Sequence, residues 1–188
     1  MAVTFRPITP PNDDELVRLH ELNPGYTVER LPDGALLVSL NGAAGGIRNA
    51  ELSFQLRAWE RRVRCGPTFD ASTGFRLPDT SVYAPDGAFV IAGRWDPLDR
   101  DERERSFAGA PDAAFEIVSH TGSREVQLAK CLAYARNGAA LVVLIDPYRR
   151  AVDCWRDGVH EPLGAIAELD CEPVMPSFVL DVTTILET

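Results

Sequence analysis

Residues 113 to 147 constrain the fold of this chain more than any other segment. They read AAFEIVSH, then SREVQLAKCLAYARNG, then ALVVLIDP: a short apolar run, a helical stretch closed by Asn137-Gly138, and a second, continuous apolar run. Two strand-length runs joined by a helix of this length do not pair as a hairpin. They predict a βαβ unit with a right-handed crossover, its strands parallel and buried on both faces.

The flanking sequence completes a mixed α/β pattern. NDDELVRLHEL places capping residues ahead of an apolar period and predicts an N-terminal helix, an appendage to the rest. YTVERLPDGALLVSL is two β-rich runs around Pro32-Asp33-Gly34, where proline presets one φ and glycine supplies a positive one, so a hairpin is expected. After the Gly-rich NGAAGG, the stretch IRNAELSFQLRAWERRVR spaces Ile47, Leu52, Leu56 and Trp59 or Val63 as an amphipathic helix does.

TFDASTGFRL and SVYAPDGAFVIA are strand-like runs separated by Pro78 and Asp79. DPLDRDERERSFAGA, capped at Asp96 and Pro97, reads as a surface helix or loop, AVDCWR as an edge strand, and PSFVLDVTTIL as a final packing segment. No internal repeat or linker interrupts the 188 residues, so one domain over 1–188 is expected, a single layer of sheet with helices on its faces.

A net charge of −9 opposes loose attachment to nucleic acid or anionic lipid, so any phosphate contact must be local. Arg57, Arg61, Arg62 and Arg64 form the densest basic cluster, and two readings fit it: favourable charge at a helix C-terminus, or contact with a phosphate backbone. No apolar run approaches the roughly 18 residues of a membrane span, and no basic-then-apolar leader opens the sequence, so a cytoplasmic location is expected. Cys65, Cys131, Cys154 and Cys171 form no C-x-x-C pair and read as reduced thiols. His20, His120 and His160 are scattered; H-E-x-x-H, P-loop and G-x-S-x-G patterns are missing, which removes the common metalloprotease, nucleotide and α/β-hydrolase readings.

Two carboxylates stand out. In AAFEIVS, alternation puts Phe115 and Ile117 on one face and Ala114, Glu116 and Val118 on the other, which leaves an acid in an apolar strand. A buried carboxylate needs a cation, a hydrogen-bond network or a metal beside it; an internal ion pair with Arg76 or Arg94 is the structural alternative. Asp86 interrupts VYAPDGAFV after Pro85, either as a Pro-Asp-Gly turn or as a second ligand. If the two lie on adjacent strands, they offer the hard oxygen donors that Mg²⁺ or Mn²⁺ prefers, able to activate water for phosphodiester hydrolysis.

The chain holds 18 arginines and a single lysine, Lys130, on the helix after Glu116. It shares a face with Val126, Ala133 and Tyr134, whereas Leu128, Cys131, Leu132 and Ala135 form a second apolar stripe. A compact ammonium held near buried surface can orient water or steady developing phosphorane charge; the plainer reading is a lysine that snorkels to solvent.

The ordered set Pro85-Asp86-Gly87-Ala88-Phe89-Val90, FEIVS, Lys130 with Tyr134 and Asn137-Gly138, and LVVLIDPYRRAVDCWR resembles the Uma-type restriction endonuclease family, a branch of the PD-(D/E)XK nuclease superfamily. The likeness covers most of the chain. It implies a restriction-endonuclease-like α/β (α+β) fold, a central mixed sheet flanked by helices, and a divalent-metal site. Asp86 matches the Asp of the PD motif and Glu116 the acid of the second motif, both as metal ligands. The superfamily lysine two residues after that acid is replaced by Val118, and Lys130 occupies the place to which this family moves it. Glu51, in RNAELSFQL, matches the glutamate that members add from an early helix.

The leading expectation is a Mg²⁺-dependent (or Mn²⁺-dependent) DNA hydrolase in which Asp86 and Glu116 hold metal, Lys130 positions water, and Arg57, Arg61, Arg62 and Arg64 guide the DNA backbone. The alternatives are a catalytically inactive nuclease-fold module for binding or assembly, and a structural dimer domain with internal ion pairs at Glu116. The second stripe on the Lys130 helix, with family habit, suggests a homodimer.

Overall fold

The computed structural model describes residues 2–40, 42–120 and 123–187. In chain order they form β1 (Val3–Phe5), α1 (Asp13–Leu22), β2 (Tyr26–Arg30), β3 (Leu36–Leu40), α2 (Ala43–Val63), β4 (Thr68–Asp70), β5 (Phe75–Arg76), β6 (Val82–Tyr83) and β7 (Gly87–Phe89). There follow α3 (Ala92–Trp95), α4 (Arg100–Arg103), β8 (Phe107–Ala108), β9 (Ala113–Ile117), α5 (Arg124–Arg136), β10 (Leu141–Asp146), β11 (Ala151–Arg156), β12 (Val159–Gly164), β13 (Glu168–Asp170), β14 (Val179–Asp181) and α6 (Val182–Leu186).

The expected βαβ unit is β9, α5 and β10. Its strands are parallel, with Glu116 opposite Leu144, and every residue of both is buried. Ser123 caps α5 by accepting from Val126 N–H. The hairpin is β2 and β3, antiparallel, with Gly34 in the left-handed region.

The single layer of sheet is corrected to two six-stranded sheets and a two-stranded ribbon, β13 with β14. One large sheet runs β1-β3-β2-β6-β5-β8, the other β12-β11-β10-β9-β7-β4. The chain crosses between the two sheets several times, and the crossing from β6 of the first to β7 of the second is Ala84-Pro85-Asp86. A proline that cannot donate to a ladder marks where the strand breaks.

Alternation along the second sheet builds two cores. Ala113, Phe115, Ile117, Val143 and Ile145 pack with Leu52, Leu56 and Trp59 of α2 and with Phe178, Leu180 and Ile185 from the C-terminal segment. Ala114, Val118, Val142 and Leu144 face the other way, against Cys131 and Tyr134 of α5 and Phe75 and Tyr83 of the first sheet. Glu116 belongs to this second face, between the two sheets.

Other boundaries differ from expectation for local reasons. Helix α2 begins at Ala43 and takes in Gly45 and Gly46, and it buries Arg48, Leu52, Leu56 and Trp59, whereas Ile47 faces solvent; Asn41 of NGAAGG lies outside the described residues. α4 is capped by Asp99 in a capping box with Glu102, not by Asp96, which ends α3. AVDCWR is interior, because β12 covers its far edge. The C-terminal run is half strand and half helix, turning at Asp181, whose carboxylate accepts from Thr184 N–H. The N-terminal helix is tied in by Leu16, which packs on Val28 and Val82.

Candidate active site

Lys130 does not reach solvent; it is 5% exposed. Its Nζ lies 2.7 Å from Glu116 Oε1 and 2.8 Å from Glu29 Oε1, and it donates to Ala84 O at 3.3 Å. Three N–H groups thus meet three acceptors. Tyr134, one helical turn on, donates its hydroxyl to Glu116 Oε1 at 3.2 Å, and Ala84 N–H donates to Glu29 Oε1 at 2.8 Å. Ala84 thereby grips both ends of the ion pair two residues before Asp86.

Asp86 keeps partial contact with solvent. Its Oδ2 accepts from Ile117 N–H at 2.7 Å, which joins the inter-sheet link to β9 one residue past Glu116, and its Oδ1 accepts from Asn49 Nδ2 at 2.8 Å. The Pro-Asp-Gly turn is not formed; the carboxylate is a bracket between α2 and β9.

The electrostatics follow from counting charges. Glu29, Asp86 and Glu116 surround one ammonium. Burial pushes the Glu116 carboxyl up to about 8; Lys130 opposes this, and Asp86 and Glu29 add to it. Burial raises Asp86 too, against Lys130 and the two hydrogen bonds. Burial works against the Lys130 ammonium, but Glu116, Glu29 and Asp86 outweigh it and hold it charged beyond the ordinary lysine range.

These groups line a cleft of about 50 Å³ together with Thr27, Ser39 and Gln127. That is room for an ion and a few waters, not for a nucleotide. The second oxygens of Glu29 and Glu116 make no hydrogen bond among the described residues, so hard oxygen donors and unbalanced negative charge share one cleft. This donor set fits Mg²⁺ or Mn²⁺. Among the described residues no group of three His, Cys, Asp or Glu side chains stands ready as a metal cluster.

The structure places Asp86, Glu116 and Lys130 along one cleft, Glu116 on β9, Lys130 on α5 and Asp86 in the link before β7 rather than on a strand. Arg76 and Arg94, the alternative partners for Glu116, pair instead with Asp13 and Asp112. Glu51 is not among the cleft residues; it accepts from Gln55 Nε2 farther along α2. The arginine cluster also lies elsewhere: Arg57 pairs with Glu60, Arg62 donates to Ser177 O, and Arg61 is twelve residues past Asn49, about 18 Å along the helix.

The family model for Uma2, described as "Putative restriction endonuclease", matches residues 13–183. The chain belongs to the Uma2 family. A crystal structure of a putative nuclease belonging to DUF820 from Anabaena variabilis superposes with a TM-score of 0.74 at 18% identity, covering 92% of this chain and 97% of that one. The Uma2 chain thus has the restriction-endonuclease-like fold over nearly its whole length. No curated protein matches it. Among the described residues no helix is long and apolar enough to cross a membrane.

Glu29 and Asn49 touch these groups and were not singled out in the sequence, whereas Tyr134 was noted there only as a neighbour of Lys130 on its helix. The signal for Glu29 was slight: alternation in the hairpin puts it on the face of Leu37, its cross-strand partner, which is buried.

Proposed function

We propose that this Uma2 chain is a divalent-metal-dependent endonuclease that hydrolyses phosphodiester bonds of DNA. The observation that carries the reading is the single buried lysine held between Glu116 and Glu29 beside Asp86. A purely structural ion pair needs one acid per base; a second and third acid impose a desolvation cost that a dication would offset. Asp86 and Glu116 would hold the ion, whose contribution is charge neutralisation at the scissile phosphate and a more acidic water.

Lys130 has a defined task in this scheme. With all its N–H groups engaged, it fixes the Oε1 atoms of Glu29 and Glu116 and keeps their second oxygens turned to the cleft. When either glutamate releases it, the freed N–H is in place to orient a water or to meet negative charge growing on phosphate oxygen. Tyr134 steadies Glu116 from the far side.

The same saturation of Lys130 favours a second reading, a nuclease-fold module that binds or assembles without cleaving, since Val118 leaves the usual lysine position apolar. A metal-dependent cleavage assay on supercoiled, linear and single-stranded DNA separates the two. Cleavage that needs Mg²⁺ or Mn²⁺ and is lost in Glu116→Gln and Lys130→Ala supports the enzyme; DNA binding without cleavage under any of these ions supports the module.

A further inference from the structure

Arg48 is a buried cation with no counter-ion among the described residues. It projects from α2 one residue before Asn49, is 7% exposed, and forms no ion pair. Among the described residues the only side-chain hydrogen bond it makes is a long one, from Nη1 to the Tyr148 hydroxyl at 3.3 Å, and its guanidinium carbon lies 5.4 Å from the centre of the Tyr148 ring. The buried Nε has no partner.

Other enclosed guanidinium groups of this chain are treated differently. Arg30, 8% exposed, makes four hydrogen bonds and pairs with Asp13. Arg124 pairs with both Asp146 and Asp153. Leaving a buried guanidinium edge unsatisfied costs free energy that a fold keeps only where something else fills the place.

Its position says what fills it. Asn49, the next residue along α2, holds Asp86 of the proposed active site, so Arg48 stands one residue from that bracket although it does not line the cleft itself. Tyr148 follows the end of β10, and its ring is 5.6 Å from that of His120, which follows the cleft residue Ser119. Arg48, Tyr148 and His120 thus stand together at the C-terminal ends of the two parallel strands, of which β9 carries Glu116 as its penultimate residue. Tyr148 is half-exposed and covers Arg48 through one long hydrogen bond and a ring contact, so little holds it shut. An Nε–H beside an Nη–H is the fork that takes two oxygens of one phosphate.

We propose that Arg48, under the Tyr148 lid and beside His120, seats a backbone phosphate of the nucleic acid next to the one cleaved, with Tyr148 swinging aside to admit it. This rests on the nuclease reading given above. It makes Arg48 a substrate-positioning group on the side of the cleft where Asp86 and Ile117 meet.

The test uses the full chain with Arg48→Met, which keeps the volume and removes the charge, and Arg48→Lys, which keeps the charge and removes the fork. Two readouts are taken without metal: the rise in Tm on adding inorganic phosphate at constant ionic strength, and anisotropy of a labelled 20-base-pair duplex over a salt series. Wild type is expected to gain stability with phosphate and Arg48→Met to gain none. Arg48→Met is expected to fold with a Tm no lower than wild type, bind duplex about tenfold more weakly, and show a log-log salt slope shallower by about one. Arg48→Lys is expected to restore the slope and part of the affinity.

An equal phosphate increment in wild type and Arg48→Met, or an unchanged slope while wild type binds and cleaves DNA, overturns the seat and leaves the nuclease reading intact. A phosphate increment that depends on Arg48, in a protein that neither binds nor cleaves duplex, upholds an anion seat and overturns the DNA reading.

Discussion

Lys130 Nζ lies 2.7 Å from Glu116 Oε1 across the space between α5 and β9, with both side chains closed off from solvent. Removing the cation leaves buried carboxylates facing one another. Lys130→Met is therefore expected to destabilise the metal-free protein at neutral pH by about 3–5 kcal/mol, read as a fall in Tm of about 10 °C. It should also lower DNA cleavage at least about 100-fold. Lys130→Arg should rescue neither, because a planar fork cannot meet Glu29, Glu116 and Ala84 O from one point; recovery of cleavage in Lys130→Arg would show that charge alone suffices.

The pH dependence of stability has a definite sign. The Glu116 carboxyl is raised from 4.5 to about 8 in the folded protein, so the fold holds its proton longer than the unfolded chain does. The favourable contribution is whole below about pH 4.5 and is lost as pH rises through about 8. Metal-free Tm, taken as wild type minus Glu116→Gln, should fall from pH 5 to pH 8.5. Mg²⁺ should stabilise wild type more at pH 8.5 than at pH 5.5, when the carboxylates are ionised. A difference that rises with pH, or a Mg²⁺ effect independent of pH, would contradict the charge imbalance described for the cleft.

Asn49 holds Asp86 Oδ1 at 2.8 Å. Asn49→Leu removes that donor and should lower the cleavage rate about tenfold and stability by about 1–2 kcal/mol. Asn49→Asp sets a fourth carboxylate against Asp86 and should destabilise more, with Mg²⁺ recovering part of the loss. Urea denaturation with and without Mg²⁺ reads both effects.

Gly87, next to Asp86, lies close under α2. A Cβ there would meet Leu56 Cδ1 at 2.7 Å and Leu52 Cδ2 at 3.0 Å, both in a fully packed core. Gly87→Ala should cost about 1–3 kcal/mol through overpacking. By displacing the start of β7, which directly follows Asp86, it should also lower cleavage more than the loss of folded protein explains; a fully active Gly87→Ala would mean that Asp86 position does not matter.

The parts of the fold legible in the sequence are those where local chemistry and burial agree. The β9-α5-β10 unit announced itself by two apolar runs and an Asn-Gly stop, and the β2-β3 hairpin by its Pro-Asp-Gly turn. The division into two sheets was hidden, because β5, β6 and β8 have two residues each and carry no period. Glu29 was hidden for another reason: an acid in a hairpin reads as facing water, and only the stacking of the first sheet over α5 turns it inward to meet Lys130, 101 positions away in sequence. Glu116 was visible because an apolar strand buried on both faces has no solvent side on which to put an acid. Asn49 had no signal of its own, since a polar residue in the early turns of a helix is ordinary.

Enclosure of Lys130 has a chemical consequence. As the one lysine, it supplies the only side-chain primary amine in the protein, and that amine is walled in by two carboxylates and a carbonyl. An acylating reagent can reach it only when the seam between the sheets parts. Each modified side chain therefore records one opening, and the rate of modification becomes a clock for the breathing of the cleft.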